Sequence, residues 1–362
     1  MIHRIYNFGA GPAMLPVEVL VKARDEMLSF GGSGMSLMEV GHRSTHFEAV
    51  LSAAEMGIRE LLDVPANYRI LFLQGGARLQ FSMLPMNFLG SDETADYVIT
   101  GAWGKMAAKE AAKSGNVNVI CSSEPAAFTS IPELAELNFS RESRYVHYVS
   151  NETIDGVEFK YDLDGRGVAV VCDASSNILS KPIDIEKYSM IYAGAQKNIG
   201  PSGVTLVIIR DDLIAQVPEN QHSMLDYRLI AENHSMLNTP NTWGIYLINL
   251  VCDWLRHQGG LSAMAVKNQA KAAILYDAID GSDGFYTGNA DRPARSLMNV
   301  TFRLPSEELE NRFCSEANAI GLVGLKGHRS VGGIRASIYN AFPREGVDAL
   351  VDFMQAFSQR NG

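Results

Sequence analysis

The stretch "SMIYAGAQKNIGPSG", residues 189–203, decides the fold class, because an apolar strand in it ends in a lysine and a glycine-rich turn. A second apolar strand, "VAVVCDASS" at residues 168–176, ends in Asp173. Continuous apolar strands are typical of parallel sheets buried on both faces, and open α/β sheets bind ligands at the carboxyl ends of their strands. We therefore predict that Asp173 and Lys197 face one ligand crevice.

Other short apolar runs extend this pattern along the chain. Examples are "YRILFLQ" at 68–74 and "DYVIT" at 96–100, and helical stretches such as "KMAAKEAAK" at 105–113 lie between some of them. Strands that alternate with helices indicate an α/β fold. We predict a mostly parallel central sheet with helices on both faces.

Two helices can be bounded from the sequence. Residues 45–64 repeat apolar side chains at helical spacing, with Thr45 and Glu48 as a capping box, and Pro65 is expected to end the helix. A second helix should follow the glycine turn of the next strand, and Pro85 is expected to kink or stop it.

The chain changes character after the strand "GVTLVIIR", where a segment rich in His, Asn, Met and turn residues begins. Beyond it, helices alternate with the strands "SLMNVTFRL" (296–304) and "GGIRASIYN" (332–340). We predict a large cofactor-binding domain over residues 1–255, with an N-terminal arm over about 1–15. A smaller α+β domain is predicted over residues 256–362.

Composition restricts the class of protein. The 362 residues are 46% hydrophobic and 20% charged, with a formal net charge of −10, which argues against nucleic acid or an anionic membrane as partner. The four cysteines form no CxxC pair, and no run of about eighteen apolar residues is present. With no apolar leader at the N-terminus, we expect a cytoplasmic protein, and we predict no metal site.

A lysine and a carboxylate at neighbouring strand ends meet the needs of pyridoxal phosphate. The lysine forms a Schiff base, and the acid keeps the pyridine nitrogen protonated so that the ring accepts electrons. Small residues surround Lys197, with Ala195 before it and Gly200 after it, so a flat ring can approach. The alternative is a simple ion pair between Asp173 and Lys197 at the rim of the sheet.

Two further strand ends carry residues suited to the same cofactor. "LQGGARLQF", residues 73–81, places glycines at a helix start, where free N–H groups bind phosphate. It matches neither GxGxxG nor the P-loop, so a nucleotide cofactor is not favoured. "GAWGK", residues 101–105, puts Trp103 where it can stack on a planar ring. Taken alone, the first motif is also compatible with a plain turn, and the second with a core tryptophan.

The tetrapeptide "GHRS" occurs twice, at 41–44 and 327–330. The flanking sequences share little, so we do not interpret the repeat as an internal duplication. In an acidic chain, two His-Arg pairs in loops suggest that both bind one substrate anion.

Motifs spread from residue 7 to 341 resemble the phosphoserine aminotransferases, class V aminotransferases of the type I pyridoxal-phosphate fold. They are "NFGAGPAMLP", "SLMEVGHR", "GGAR", "NETIDG", "YAGAQKNIGPSG", "NTP" and "LKGHRSVGGIRASIYNA". The resemblance implies Lys197 as the Schiff-base residue and Asp173 as the partner of the pyridine nitrogen. It implies that Trp103 stacks on the ring beside Thr153. The phosphate-binding residues it implies are Gly76, Ala77, Arg78 and Gln196, with Asn238 and Thr239 from a second subunit of a homodimer.

The substrate site implied by the resemblance uses both GHRS loops. His42, Arg43, His328 and Arg329 would bind the phosphate of phosphoserine or the distal carboxylate of glutamate, with Arg78 nearby. Arg335 would bind the α-carboxylate, which suits a bidentate guanidinium. Departures from the commoner pattern are Ala10, Gly41 and Ala77, none of which removes a charged group.

The implied reaction is a ping-pong transamination in serine biosynthesis. Glutamate would give its amino group and leave as 2-oxoglutarate, and 3-phosphohydroxypyruvate would become O-phosphoserine. Whether phosphohydroxythreonine, an intermediate of pyridoxine biosynthesis, is a second substrate stays open. Alternatives are a cysteine desulfurase or alanine–glyoxylate aminotransferase of the same fold, and a phosphate-ligand binding protein or sugar-phosphate isomerase without pyridoxal chemistry.

Overall fold

The structure, a computed structural model, describes residues 4–362, so the first three residues of the predicted arm lie outside the described residues. Within that range, no helix combines the length and apolar character needed to cross a membrane. The helices are α1 Val17–Asp25, α2 Thr45–Leu61, α3 Gln80–Phe88, α4 Ala102–Ala111, α5 Asp211–Ile214, α6 Tyr227–Glu232, α7 Thr242–His257, α8 Gly260–Asp280, α9 Glu307–Ala319 and α10 Arg344–Asn361. The strands are β1 Tyr6–Asn7, β2 Tyr68–Gln74, β3 Thr94–Ile99, β4 Asn116–Ser122, β5 Val146–Val149, β6 Asn151–Glu152, β7 Val157–Glu158, β8 Val170–Asp173, β9 Met190–Gly194, β10 Val204–Arg210, β11 Thr287–Gly288, β12 Asn299–Arg303, β13 Leu322–Val323 and β14 Ile334–Ser337.

A seven-stranded sheet with strand order β2-β10-β9-β8-β5-β3-β4 forms the centre of the first two thirds of the chain. Its neighbours pair in parallel except β10, which runs antiparallel to both β2 and β9. The predicted α/β fold with a mostly parallel sheet is confirmed. Because β10 alone is reversed, β2, β3, β4, β5, β8 and β9 all end at one edge, which is where open α/β sheets bind ligands.

Both faces of this sheet are buried, since successive side chains of each strand point to opposite faces. In β9, Ile191 joins the apolar cluster that contains Phe47 of α2 and Ile248 of α7. Its neighbour Tyr192 joins the cluster that contains Phe81 of α3. A fully buried side chain of this size contributes about 1.5–3 kcal/mol, so the two layers hold the strand ends rigidly.

The C-terminal part of the chain has its own sheet and core. β11, β12 and β14 form a three-stranded antiparallel sheet, and Phe302, Phe313 and Phe357 lie in one buried cluster. The N-terminal segment joins this part, because β1 pairs in parallel with β13. The predicted boundary between residues 255 and 256 falls within α7 and stays a prediction.

The predicted ends of the first helix were partly wrong. α2 begins at Thr45, but its cap is Ser44, whose Oγ accepts the N–H of Phe47 at 3.4 Å. The helix ends at Leu61 rather than at Pro65, because Asp63 adopts a positive φ of 51° that no helix continues.

Pro85 was predicted to kink or stop the next helix, and of these two effects the stop is wrong. α3 runs through Pro85 to Phe88. The proline costs a helical hydrogen bond, but Phe81, Leu84 and Phe88 are all buried against the sheet. Tertiary packing therefore outweighs the local cost.

Candidate active site

Lys197 lies in the turn after β9, at the edge where the six strands of common direction end. Its Nζ donates a hydrogen bond to Oγ1 of Thr153 at 2.6 Å and lies 5.4 Å from the ring centroid of Trp103. Asp173, the last residue of β8, is buried, and its Oδ1 accepts the N–H of Ser175 at 2.9 Å. Four of the predicted site residues are thus brought together around one amine.

Burial and neighbouring charges shift the pKa values of Lys197 and Asp173. Burial lowers the pKa of Lys197 to about 8, although the carboxyl groups of Asp173 and Glu152 act to raise it. Burial also raises the pKa of Asp173, while the charge of Lys197 opposes that shift. A lysine with a pKa near 8 has a substantial neutral fraction at physiological pH, as a nucleophile requires.

Lys197 of the cofactor-free protein should react with an amine-selective reagent at lower pH than an ordinary lysine. Only the neutral amine is nucleophilic, so we expect the labelling rate to rise with pH and level off above about 8. A free lysine side chain titrates near pH 10.4. Quantitative mass spectrometry of the Lys197 peptide measures the rate, with exposed Lys109 as the internal reference. Parallel profiles for the two peptides would contradict the buried, neutral amine.

The glycine turn after β2 lies beside the residue that precedes Lys197. A Cβ placed on Gly194 would sit 2.8 Å from Oε1 of Gln196 and 3.4 Å from Cβ of Ala77, so both side chains flank the end of β9. A Cβ on Gly76 would meet nothing within 4 Å, which leaves its backbone open to a ligand. Ala77 does not adopt a positive φ, so its replacement of glycine costs no backbone strain. Arg78 is exposed.

The first GHRS loop contacts the "NTP" segment. Nδ1 of His42 and Oγ1 of Thr239 are 3.3 Å apart, and Nε2 of Gln74 donates to the carbonyl of Thr239 at 3.0 Å. Arg43 is exposed and Asn238 half-buried. Among residues 4–362, no hydrogen bond or ion pair joins these four predicted residues to Lys197 or its partners. Within the single chain, these four residues therefore have no direct polar contact with Lys197.

The second GHRS loop precedes the strand β14, and Arg335 on that strand is near Lys197. The charge of Arg335 contributes to the low pKa of Lys197, and its own Nε is buried without a partner. Nδ1 of His328 is 2.7 Å from Oγ of Ser330, while Arg329 is exposed. Burial, together with Arg335 and Arg329, lowers the pKa of His328. In the described part of the chain, no hydrogen bond joins this loop to the first GHRS loop.

Unpartnered polar atoms test whether these residues fit pyridoxal phosphate. Nε1 of Trp103, Oε1 of Gln196, Nε of Arg335 and Nε2 of His42 are all buried without a hydrogen-bond partner. Native proteins leave few such atoms, because each costs about 1–3 kcal/mol when unsatisfied. Trp103 lies beside Lys197, so a ligand bound there would supply the acceptor that its Nε1 lacks. The residue set therefore fits the cofactor.

One buried residue near Lys197 was not predicted from the sequence. Glu152 is fully buried and acts on the pKa of Lys197, yet within "NETIDG" only Thr153 was singled out. Cys172 is buried in β8, where burial raises its thiol pKa to about 12, and Cys314 lies within α9. Neither is a mobile thiolate of the kind a cysteine desulfurase needs, so that alternative is disfavoured.

The sequence and the fold of the chain are similar to those of known proteins of one family. The class V aminotransferase family model matches residues 5–350. Phosphoserine aminotransferase of Laribacter hongkongensis is 52% identical over 358 residues, covering 99% of each chain. The crystal structure of phosphoserine aminotransferase from Bacillus circulans subsp. alkalophilus superimposes with a TM-score of 0.98 at 49% identity, covering 99% of each chain. PLP-bound phosphoserine aminotransferase from Trichomonas vaginalis gives a TM-score of 0.92 at 40% identity, covering 97% of this chain and 100% of that one.

Proposed function

We propose a function from one premise: the chain belongs to the class V aminotransferase family. We propose that it is a phosphoserine aminotransferase of serine biosynthesis, reversibly transferring an amino group between L-glutamate and 3-phosphohydroxypyruvate to give 2-oxoglutarate and O-phospho-L-serine. The observation that carries the proposal is half-buried Lys197, whose Nζ lies beside Thr153 and Trp103. The same arrangement supports pyridoxal 5′-phosphate as the cofactor.

Each residue has a proposed part in holding the cofactor. Lys197 would hold it covalently, Asp173 would bind its pyridine nitrogen and Trp103 would cover one ring face. When bound, pyridoxal phosphate supplies an electron sink for charge that develops at the substrate Cα. Nζ of Lys197, once free, would move the proton from the substrate Cα to the cofactor carbon that carries the amino group, and in the second half-reaction it would move a proton from that carbon to Cα of the amino-acid product. The turn Gly76, Ala77 and Arg78, with Gln196, Thr153, Asn238 and Thr239, completes the proposed cofactor-binding set.

Substrate selection is proposed to depend on two groups of cations. Arg335 would bind the α-carboxylate common to all substrates, since its buried Nε needs an acceptor. His42, Arg43, His328 and Arg329 would bind the distal anion, either phosphate or carboxylate. A phosphate dianion carries more charge than a carboxylate, so a group this cationic favours the phosphorylated substrate.

Arg329→Ala and Arg43→Ala should each raise the KM for phosphoserine more than the KM for glutamate. One charge-assisted hydrogen bond is worth about 1.5–3 kcal/mol, so we expect a rise of roughly tenfold or more for phosphoserine. Steady-state kinetics in both directions measures the two constants. Arg312→Ala, at an exposed position on α9, serves as the control. Equal changes for both substrates would contradict phosphate reading by these loops.

We further propose a homodimer in which each active site uses residues of both subunits. His42 and Thr239 contact one another but make no hydrogen bond to Lys197 within the described chain. Leu28 and Met38 are large apolar side chains that are 85% and 56% exposed, as at a surface that a second copy covers. A reducing cytoplasmic location is proposed because the four cysteines are free thiols.

Mixing two inactive variants tests the shared site. One variant carries Lys197→Ala, and the other carries both His42→Ala and Thr239→Ala. Each should be inactive or weak alone. After mixing and subunit exchange, the mixed dimer holds one site with all native residues, so activity should return to about a quarter of the parent value. This is the statistical share of native sites among random pairs in a symmetric C2 dimer. If activity does not return although subunit exchange is demonstrated, then Lys197 acts together with His42 and Thr239 of its own subunit.

A direct assay tests the function itself. The purified protein should be yellow, and it should form phosphohydroxypyruvate and glutamate from phosphoserine and 2-oxoglutarate. Alanine with glyoxylate should give little turnover, and phosphohydroxythreonine should be tested as an additional substrate that would connect the chain to pyridoxine biosynthesis. A colourless protein without transamination would favour the rival phosphate-ligand binding role.

A further inference from the structure

α4 carries Trp103 on its first turn, yet the chain gives this helix no capping side chain at its start. The residue before the helix is Gly101. The first N–H groups of any helix lack partners within it and need acceptors from elsewhere. Here the acceptors come from residues 152–155, about fifty positions further along the chain.

Two buried carboxyl groups supply these acceptors. Oε2 and Oε1 of Glu152 accept the N–H groups of Trp103 and Gly104 at 3.0 and 2.8 Å. Oδ2 of Asp155 accepts the N–H of Ala102 at 2.9 Å. Glu152 is 0% exposed and Asp155 3% exposed. Neither forms an ion pair with a basic side chain within residues 4–362, so the helix start is their principal polar partner.

The fit between helix and carboxyl groups is close. A Cβ on Gly101 would lie 2.4 Å from Cδ of Glu152 and 2.6 Å from Oδ2 of Asp155. A Cβ on Gly104 would lie 3.3 Å from Oε1 of Glu152. Glycine at the first position is therefore required, and the first turn of α4 cannot move toward residues 152–155.

The same segment is fixed on its other side by the C-terminal sheet. The carbonyl of Asp155 accepts hydrogen bonds from Oγ1 of Thr301 at 3.1 Å and from Nδ2 of Asn289 at 2.9 Å. Thr301 on β12 is the register partner of Arg335 on β14. Residues 152–155 thus connect the helix of Trp103 to the strand pair of Arg335.

We propose that Glu152 and Asp155 are positioning residues that hold the first turn of α4, and so fix the indole of Trp103 beside Lys197. This inference rests on the proposed function only in that Trp103 is taken to cover the cofactor ring. The inference concerns only where the Trp103 side chain lies, and this can be measured without any cofactor.

Tryptophan fluorescence of the cofactor-free full-length protein tests the proposal. The chain has three tryptophans, so Trp243→Phe with Trp254→Phe leaves Trp103 as the sole emitter. In that background, Glu152→Ala should shift the emission of Trp103 to longer wavelength and increase its quenching by acrylamide. The Kd for pyridoxal phosphate, measured by absorbance titration, should rise roughly tenfold because the two hydrogen bonds from the first turn of α4 to Oε1 and Oε2 of Glu152 are lost.

Two companion variants separate positioning from general stability. Glu152→Gln keeps the volume and one acceptor oxygen, so its shift and its Kd should lie between parent and Glu152→Ala, and it is decisive if the alanine variant fails to fold. Ser306→Ala removes the cap of α9, whose Oγ accepts the N–H of Leu309 at 3.2 Å. It should lower Tm but leave Trp103 emission and Kd unchanged.

The proposal is overturned if both Glu152 variants lower Tm as Ser306→Ala does while Trp103 emission and quenching stay at the parent values. A shift in emission without cofactor binding by the parent protein would instead reject the proposed function and support the positioning role. The two failures are therefore distinguishable in one set of samples.

Discussion

Lys197→Ala is expected to lower kcat for phosphoserine and 2-oxoglutarate by at least roughly 10³-fold. General acid–base catalysis by a placed side chain contributes about 10²–10⁴-fold, and this variant also loses the covalent attachment of the cofactor. The amine is suited to both tasks, because burial lowers its pKa to about 8. Pyridoxal phosphate should still bind, since its phosphate contacts do not involve this side chain.

Three measurements together test this expectation. Stopped-flow kinetics gives the rate of each half-reaction, and the absorbance spectrum shows whether the cofactor is bound without a covalent bond. Borohydride reduction of the parent protein should fix the cofactor to the peptide that contains Lys197, and not in the variant. Lys187→Ala, an exposed lysine ten residues upstream, should behave as the parent. A Lys197→Ala protein within tenfold of parent activity is incompatible with the proposed aminotransferase.

The sequence predicted which edge of the sheet carries the candidate active site, because the signal there is local. Continuous apolar runs identify strands buried on both faces, and parallel neighbours must end at the same edge. The ends of two such strands therefore placed Asp173 and Lys197 in one crevice, as the structure has them. The same reasoning applied to "GAWGK", which follows another strand. In the structure, its Trp103 lies beside Lys197.

Other parts of the site depend on contacts between distant segments, which no local pattern reports. Nothing near Gly101 indicates that its helix is capped by Glu152, because the partners are about fifty residues apart. The two GHRS loops illustrate the same limit. Their composition suggested that both bind one anion, but in the single chain His42 contacts Thr239 while His328 contacts Ser330. In the homodimer proposed above, a second subunit would supply the convergence that the sequence suggested.

Arg335→Ala is expected to lower kcat/KM for glutamate and for phosphoserine by a similar factor of roughly 10²–10³. Removing one partner of a buried charge pair costs about 2–5 kcal/mol, and each 1.4 kcal/mol is tenfold. The buried Nε of Arg335 has no partner within the described chain, so a substrate carboxylate is the group available to satisfy it. Both substrates carry the same α-carboxylate, which is why the factor should be shared.

Arg335→Lys distinguishes the geometry of this contact from its charge. A lysine keeps the positive charge but presents a point donor instead of a planar fork, so kcat/KM should recover only in part. Arg312→Lys, an exposed arginine on α9, is the matched control and should match the parent. If Arg335→Ala impairs phosphoserine alone, then Arg335 reads the phosphate rather than the α-carboxylate. Arg43 and Arg329 of the GHRS loops would then have no role in substrate selection. Equal losses for both substrates in their variants would reflect only a general attraction of anions.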